Sequence, residues 1–269
     1  SFPTGRSSDL KANLGVWGSP WVGLQNYDFV FRDPDFFRAL GNTVVISLCR
    51  LLFQFPVPIF IALLLNELRS QRYKKILQTI YTFPHFLSWV IVASMILNLF
   101  GNNGTVNAMM GAVGIEPVNF LGDESLFRPM LYITENWKSA GWSAIIYMAA
   151  ISGIDTEQYE AATIDGAGRL QKMLYITLPG IKATIVVLFI LAVGGIMNAG
   201  FDQIFNLSNP AVRNVSDILD TYIYRITFQS SADFSFSTAI ALFKSVINFV
   251  FLIACDRIAK MVGENGLFA

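Results

Sequence analysis

Charged residues are scarce in this chain of 269 residues. Asp, Glu, Lys and Arg together make up 14% of it, against about 25% in soluble globular domains. Apolar residues reach 54%, and Phe alone occurs 23 times. The formal net charge is zero, so no global field would recruit nucleic acid or an acidic partner. The composition excludes an ordinary soluble domain and indicates a membrane protein without a nucleic-acid partner.

Residues that usually carry chemistry are also few. One histidine and two cysteines cannot build a typical zinc site, although this count does not exclude a carboxylate-rich metal site. The chain contains no Gly-x-x-x-x-Gly-Lys-Ser/Thr phosphate loop, no Gly-x-Ser-x-Gly nucleophile elbow and no His-Glu-x-x-His sequence. We therefore expect no catalysis, no metal site and no cofactor bound by this chain.

Long apolar segments are abundant instead. A helix needs about 20 mostly apolar residues to cross the hydrocarbon core of a membrane, which is about 30 Å thick. Proline residues in the first two of these apolar segments predict kinks in the two helices. The sequence thus predicts an all-α membrane protein, with an extracytoplasmic lead-in over residues 1–38 and a transmembrane domain over residues 39–262. The five predicted spans run over residues 40–65, 79–100, 130–153, 180–204 and 237–258.

The positions of Lys and Arg predict the orientation, because basic residues are enriched in cytoplasmic loops. They cluster in the loop 66–78, in the polar stretch 155–179 and in the C-terminal tail. With five spans these three regions share one side, so the C-terminus is expected in the cytoplasm and residue 1 outside the cytoplasmic (inner) membrane. An odd number of spans with an outside start suggests that a further helix precedes residue 1.

The polar stretch 155–179 is predicted to form two short helices joined by a tight turn. Asp155 is a good N-cap with Gln158 in capping-box register, so the first helix is expected over residues 156–164. Gly166 and Gly168 permit a tight reversal. The second helix is expected over residues 169–176, and Pro179 is expected in the first turn of the next span. On the second helix, one face should present Leu170, Met173 and Leu174.

This stretch resembles the EAA loop of permease subunits in binding-protein-dependent ABC importers. The resemblance is carried by Glu160, Ala161, Ala162, Asp165, Gly166, Ala167, Ile176, Leu178 and Pro179. It implies a type I importer permease fold, a helical bundle with five visible spans of an expected six. It also implies that Glu160 pairs with a basic residue of an ATPase subunit, that Ala161 and Ala162 enter a cleft of that subunit, and that Gly166 makes the turn.

The resemblance implies a set of partners as well. They are a second permease subunit, two ATPase subunits that use ATP and Mg²⁺, an extracytoplasmic solute-binding protein and the lipid bilayer. Shorter matches are similar to sugar-importer permeases, particularly those for oligo- and polysaccharides, with alginate as one fitting cargo. They include Val22–Tyr27, Phe83–Phe86 and Phe243–Ser245.

Polar groups inside the predicted spans are candidates for the transport pathway, because a charge there costs about 2.5–3.5 kcal/mol. Glu135 and Lys138 have the spacing to neutralise each other, whereas the sequence shows no partner for Arg50 or Lys244. These basic residues would suit an anionic saccharide, and pairing with a partner subunit is the alternative. Trp137 could stack on a sugar ring or pack. The full set of candidates is Arg50, Glu135, Trp137, Lys138, Asn198, Asp202, Lys244 and Asn248.

Two other classes of function are less well supported by the sequence. An ion-coupled secondary transporter would be expected to show intramembrane carboxylates and an internal repeat, and only Glu135 is clearly at depth. An intramembrane enzyme would need a nucleophile motif or a metal-binding motif, and the chain contains neither of those searched for above. The sequence therefore favours an ABC-importer permease.

Overall fold

The computed structural model describes residues 15–229, 233–261, 263 and 266–267, and all regular structure among these residues is helical. Residues 1–14, which form much of the predicted lead-in, lie outside the described part. The first half of the fold contains α1 Gly15–Gly18, α2 Gln25–Val30, α3 Pro34–Phe53, α4 Pro56–Asn66, α5 Gln71–Thr82, α6 Trp89–Phe100, α7 Thr105–Ala112 and α8 Glu124–Ser152.

The second half contains shorter helices before one long C-terminal helix. They are α9 Thr156–Ile164, α10 Arg169–Lys172, α11 Leu178–Gly180, α12 Lys182–Gly194, α13 Phe201–Leu207, α14 Arg213–Ser216, α15 Leu219–Tyr224 and α16 Phe234–Met261. Two π-helical turns, Met173–Thr177 and Arg225–Gln229, lead out of α10 and α15.

The described residues contain three helices that are long and apolar enough to cross a membrane: Pro34–Asn66, Trp89–Ala112 and Phe234–Met261. A fourth is added if Arg169–Gly180 and Lys182–Gly194, bent by 59°, count as one span. The helix α8 corresponds to the third predicted span and has 29 residues. It is not among the three, because several charged and polar residues, including Glu135 and Lys138, lower its hydropathy.

Several predicted boundaries were wrong. The first span begins at Pro34, inside the predicted lead-in. Its helical bonding is interrupted between α3 and α4 just before Pro56, where a kink was predicted. The second predicted span, 79–100, begins instead at Trp89, because the chain before it forms the separate helix α5 and a 3-10 turn around Pro84.

The fourth predicted span is also shorter than expected. It was predicted over residues 180–204, but α12 ends at Gly194 after 13 residues, a length of about 20 Å. The chain then passes through Gly200, whose φ of 84° favours glycine, and begins α13. The fifth predicted span is confirmed by α16.

The chain divides into two compact units, each with its own apolar core. One comprises Ser1–Leu48, Ala93–Arg128 and Gly195–Phe251. Its core gathers Phe36, Leu219, Tyr222 and Ile240.

The other unit comprises Cys49–Val92, Pro129–Gly194 and Leu252–Ala269. Its core gathers Ala62, Tyr147, Ile151 and Ile181, with Met173 and Leu178 packed against it. The polar stretch 155–179 belongs to this second unit.

Candidate functional site

The first arm of the polar stretch is a well-capped helix. The Asp155 carboxylate accepts a hydrogen bond from the Glu157 amide at 3.0 Å, which satisfies one of the free N–H groups at the start of α9. The Gln158 amide donates to the Asp155 carbonyl at 3.3 Å. The predicted N-cap and the predicted bounds of the helix, 156–164, are both confirmed.

The turn after α9 is a Schellman motif centred on Gly166. The Ala167 amide donates to the Ala162 carbonyl at 2.8 Å, and the Gly166 amide donates to the Thr163 carbonyl at 3.1 Å. These two bonds require a left-handed residue between them, and Gly166 has a φ of 78°. The predicted reversal is therefore confirmed, and the requirement for glycine comes from the backbone alone, since a Cβ there would meet nothing within 4 Å.

The second arm is longer than predicted. The Gly168 amide donates to the side chain of Gln171 at 2.7 Å and begins α10. The helix then continues through a π-helical turn, in which the Leu178 amide bonds to the Met173 carbonyl, and into α11. Pro179 was predicted in the first turn of the next span, but it lies at the end of this second arm, before the 59° bend. The wider π-turn accommodates a residue that has no N–H to donate.

Side-chain hydrogen bonds tie the two arms together. The hydroxyl groups of Tyr159 and Thr177 lie 2.9 Å apart. The Lys172 ammonium donates to the Thr163 hydroxyl at 2.6 Å, and that hydroxyl donates to the Tyr159 carbonyl. The stretch from Asp155 to Pro179, which we call the docking loop, is therefore one element whose two arms are held together by hydrogen bonds.

The surface of the docking loop combines an exposed carboxylate with small and apolar residues. Glu160 and Ala161 are exposed, and Ala162 is half-buried. Ile164 is 87% exposed and Tyr175 is 77% exposed. Leu170 and Leu174 are exposed, whereas Met173, which was predicted on the same face, packs against the core of its unit. A concave pocket of about 250 Å³ is lined by Ala162, Asp165, Gly166, Ala167, Gln171, Lys172, Tyr175 and Ile176.

Comparison with known protein families identifies the chain. Residues 54–263 match the family described as "Binding-protein-dependent transport system inner membrane component". The chain belongs to this family. The predicted family and fold class are thereby confirmed.

Individual relatives match nearly the whole length of this chain. Protein LplB of Bacillus subtilis (strain 168) is 44% identical over 261 residues, which is 97% of this chain and 82% of that protein. The polygalacturonan/rhamnogalacturonan transport system permease protein YteP, from the same organism, is 44% identical over 97% of this chain and 81% of its own. A chain in the crystal structure of a bacterial alginate ABC transporter, in complex with an alginate pentasaccharide-bound periplasmic protein, superposes with a TM-score of 0.87 at 37% identity. That match covers 91% of this chain and 85% of the other.

In the second unit of the permease, the charged candidates for the pathway interact with groups that the sequence did not indicate. The predicted Glu135–Lys138 interaction is replaced by other contacts. The Glu135 carboxylate accepts from the Ser139 hydroxyl at 2.6 Å and interacts electrostatically with the Arg50 guanidinium. The Lys138 ammonium donates to the His85 carbonyl at 2.9 Å.

Aromatic side chains lie around these charges in the same unit. The ammonium group of Lys138 is 5.6 Å from the centre of the Trp89 ring. The His85 ring stacks on Trp142 with centroids 4.7 Å apart and an interplanar angle of 1°. Trp137 is half exposed, so it is available to an external ring or to lipid.

Two of the four candidates in the first unit, Lys244 and Asn248, are engaged in structural contacts. The Lys244 ammonium forms an ion pair with Asp220 at 2.5 Å, and both side chains are less than a quarter exposed. The Asn248 side chain accepts from the Met197 amide at 2.9 Å, just after the end of α12. Asn198 lies before the start of α13 and Asp202 lies in its first turn, and both side chains are exposed.

The sequence did not reveal a buried polar network that joins the predicted extracytoplasmic loops to the start of the first span. The buried Asp217 carboxylate pairs with Arg225 at 2.7 Å. The Asn42 amide donates to the Asp217 carbonyl at 2.9 Å and accepts from Arg128 at 2.8 Å. Asn42 at the entry of a span was the one available signal, because a buried amide needs partners.

Proposed function

We propose that this permease is the transmembrane subunit of an ATP-driven importer that moves an oligosaccharide or polysaccharide across the cytoplasmic membrane. The observation that carries the proposal is the exposed docking loop, whose two arms are held together by hydrogen bonds. A permease without a phosphate loop needs a surface that binds a separate ATPase subunit. The names of the relatives support a saccharide cargo, because they include a polygalacturonan/rhamnogalacturonan permease and an alginate transporter.

The docking loop offers an ATPase subunit both charge and shape. Glu160 is exposed on α9, where it could pair with a basic residue of the partner. Ala161 and Ala162 have small side chains, so a neighbouring backbone can approach the helix closely there. The exposed side chains of Ile164 and Leu170 would lose water on docking, which favours association. ATP and Mg²⁺ would be bound by that partner.

The second arm gives a route for force into the membrane. It runs without interruption from Arg169 to Gly180 and meets α12 at the bend. A Cβ added at Gly180 would lie 2.7 Å from the side chain of Ile154, so the second arm packs closely against the chain that leaves α8. Movement of the loop would therefore shift α8 and α12 together.

An anionic cargo is supported by the relatives rather than by the charges of this chain. Arg50 and Lys244 each lie near a carboxylate of this chain, Glu135 and Asp220, so they no longer supply an excess of positive charge. Support comes instead from the relatives named for alginate and polygalacturonan, which are acidic polysaccharides. Trp137 could stack on a sugar ring, and the exposed Asn198 and Asp202 could bind sugar hydroxyl groups.

The experiment that tests docking is co-purification of the assembled transporter from detergent. Glu160→Gln should lower the amount of ATPase subunit retained by the permease. Glu157→Gln is the matched control, because this carboxylate is exposed on the same helix three residues earlier. Equal retention by wild type, E160Q and E157Q would contradict docking through Glu160.

The cargo is tested separately, with the co-encoded solute-binding protein. Its ligand should be an oligosaccharide, and an acidic one if the anionic proposal holds. Transport of that ligand into vesicles should require ATP inside them. Uptake driven by an ion gradient in the absence of ATP would favour the secondary transporter.

A further inference from the structure

A short amphipathic helix precedes the second membrane span. On a helical wheel at 100° per residue, its apolar residues fall within one arc of about 140°. The opposite arc holds only Gln and Thr together with Lys75, and Arg72 and Lys74 lie at the two borders between the arcs. The apolar residues of this helix, α5, are Tyr73, Ile76, Leu77, Ile80 and Tyr81.

The apolar face of α5 is not covered by the rest of its unit. None of the twelve residues of α5 is buried. Tyr73 is 67% exposed and Ile80 is 59% exposed. Twelve residues extend about 18 Å, which is too short to cross the hydrocarbon core. This helix therefore has the pattern of one that lies at a surface.

The C-terminal end of α5 is fixed in place. A Cβ added at Gly141 of α8 would lie 2.1 Å from the Tyr81 carbonyl oxygen, so the two helices approach each other as closely as glycine allows. The 3-10 turn with Pro84 follows directly. Because this end is held, α5 cannot simply rotate its apolar face into the core.

Positive charge is concentrated around the same helix. Arg69, Arg72, Lys74 and Lys75 face a single nearby acidic residue in the sequence, Glu67, and no Asp or Glu follows until Glu116. In the part of the chain that the structure describes, none of these four basic residues forms an ion pair with a carboxylate. Basic residues at the border of an apolar face suit anionic headgroups above an acyl layer.

We propose that α5 lies in the cytoplasmic surface of the bilayer and binds anionic phospholipid. Its apolar face would enter the boundary of the acyl chains, and Arg72 and Lys74 would contact the headgroup phosphates. Lys75, on the opposite arc, would add positive charge near the anionic surface. Each basic residue near an anionic surface contributes about a fivefold gain in affinity. This inference rests on the proposed cytoplasmic side of residues 66–78 and not on the docking of an ATPase.

The test uses the full chain assembled with its partner subunits in nanodiscs that contain phosphatidylglycerol. A spin label on a cysteine replacing Ile80, with Cys49 and Cys255 replaced by Ser, should be accessible to oxygen and protected from a water-soluble nickel reagent. A label replacing Gln71, which is exposed on the opposite arc, should show the reverse. Protection of the Ile80 label from both reagents would mean that protein covers this face, and nickel access would mean water; either result overturns the proposal.

A second measurement tests the lipid itself. The variant R72Q/K74Q/K75Q should retain less phosphatidylglycerol on purification, with an affinity lower by up to about a hundredfold. The matched control Q71A/Q78A/T79A alters the same polar face without changing charge and should retain lipid as wild type does. Equal retention by both variants would overturn the proposal. Retained ATPase, measured in the same samples, reports separately on the docking loop.

Discussion

The Tyr159 and Thr177 hydroxyl groups lie 2.9 Å apart and join the two arms of the docking loop across 18 residues of sequence. Tyr159 lies on α9, whereas Thr177 is buried in the π-helical turn close to the bend. This contact makes the position of α9 depend on the helix that enters the membrane.

Loss of this bond should loosen the docking loop without unfolding the permease. Tyr159→Phe and Thr177→Val each remove one hydroxyl, and a hydrogen bond of this kind contributes about 1 kcal/mol. We expect less transport per ATP hydrolysed in the reconstituted transporter. Thr177→Ser keeps the hydroxyl and should behave like wild type. The double variant should be little worse than the poorer single one; additive losses would show that the two hydroxyls act separately.

Gly166 should be more sensitive to substitution than Gly168. Gly166→Ala places a Cβ at a φ of 78°, which costs about 1–2 kcal/mol, and it should weaken both the turn and ATPase retention. Gly168 has a φ of −73°, so Gly168→Ala carries no such strain. ATPase co-purification and thermal unfolding in detergent measure the difference. Equal effects at the two positions would contradict the Schellman turn.

The contact between Gly141 and Tyr81 predicts a second pair of glycine variants. Gly141→Ala forces the Tyr81 carbonyl away and should destabilise the protein by about 1–3 kcal/mol. Gly41→Ala is the matched control in a membrane helix, because its Cβ would meet nothing within 4 Å. It should be neutral or stabilising by up to about 1 kcal/mol. Thermal unfolding in one detergent compares them, and an unchanged midpoint for Gly141→Ala would rule out the close approach.

The ion pair between Lys244 and Asp220 predicts a rescue. Lys244→Met leaves the half-buried Asp220 carboxylate without its partner and should cost about 1–3 kcal/mol. The double variant K244M/D220N removes both charges and should recover most of the stability. Transport of an anionic saccharide by the double variant should stay near the wild-type rate. A loss of transport with restored stability would instead show that Lys244 serves the cargo.

The sequence predicted the docking loop well because local chemistry determines it. Asp155 caps α9, and Gly166 supplies the one left-handed residue that the turn requires; both effects act over a few residues. The end of the second arm was missed, since no local pattern in the sequence marks the π-turn before Pro179. The roles proposed for the signature residues in ATPase docking stay predictions.

Elsewhere the sequence could not reveal the partners. Lys244 meets Asp220 across 24 residues, and Arg128 reaches Asn42 across 86. Contacts over such separations leave no local pattern in the sequence. The helix α5 was missed, because most of it lies in the predicted loop 66–78 and only its last four residues lie in the predicted span 79–100. Hydropathy averaged over a window does not detect an amphipathic face.

The π-helical turn before Pro179 takes up one residue more than an α-helical turn would between the docking loop and the membrane helix. Its hydrogen bonds span five residues instead of four, so the extra residue does not bring the rotation of about 100° that each α-helical residue adds. Deletion of one residue within Met173–Thr177 would therefore be absorbed by a return to α-helical bonding. Deletion of one residue within α10, Arg169–Lys172, would instead swing everything before it by about 100°. Glu160 would then point in a different direction, although every signature residue would still be present. The number of residues in α10 thus sets the direction in which the proposed docking surface faces.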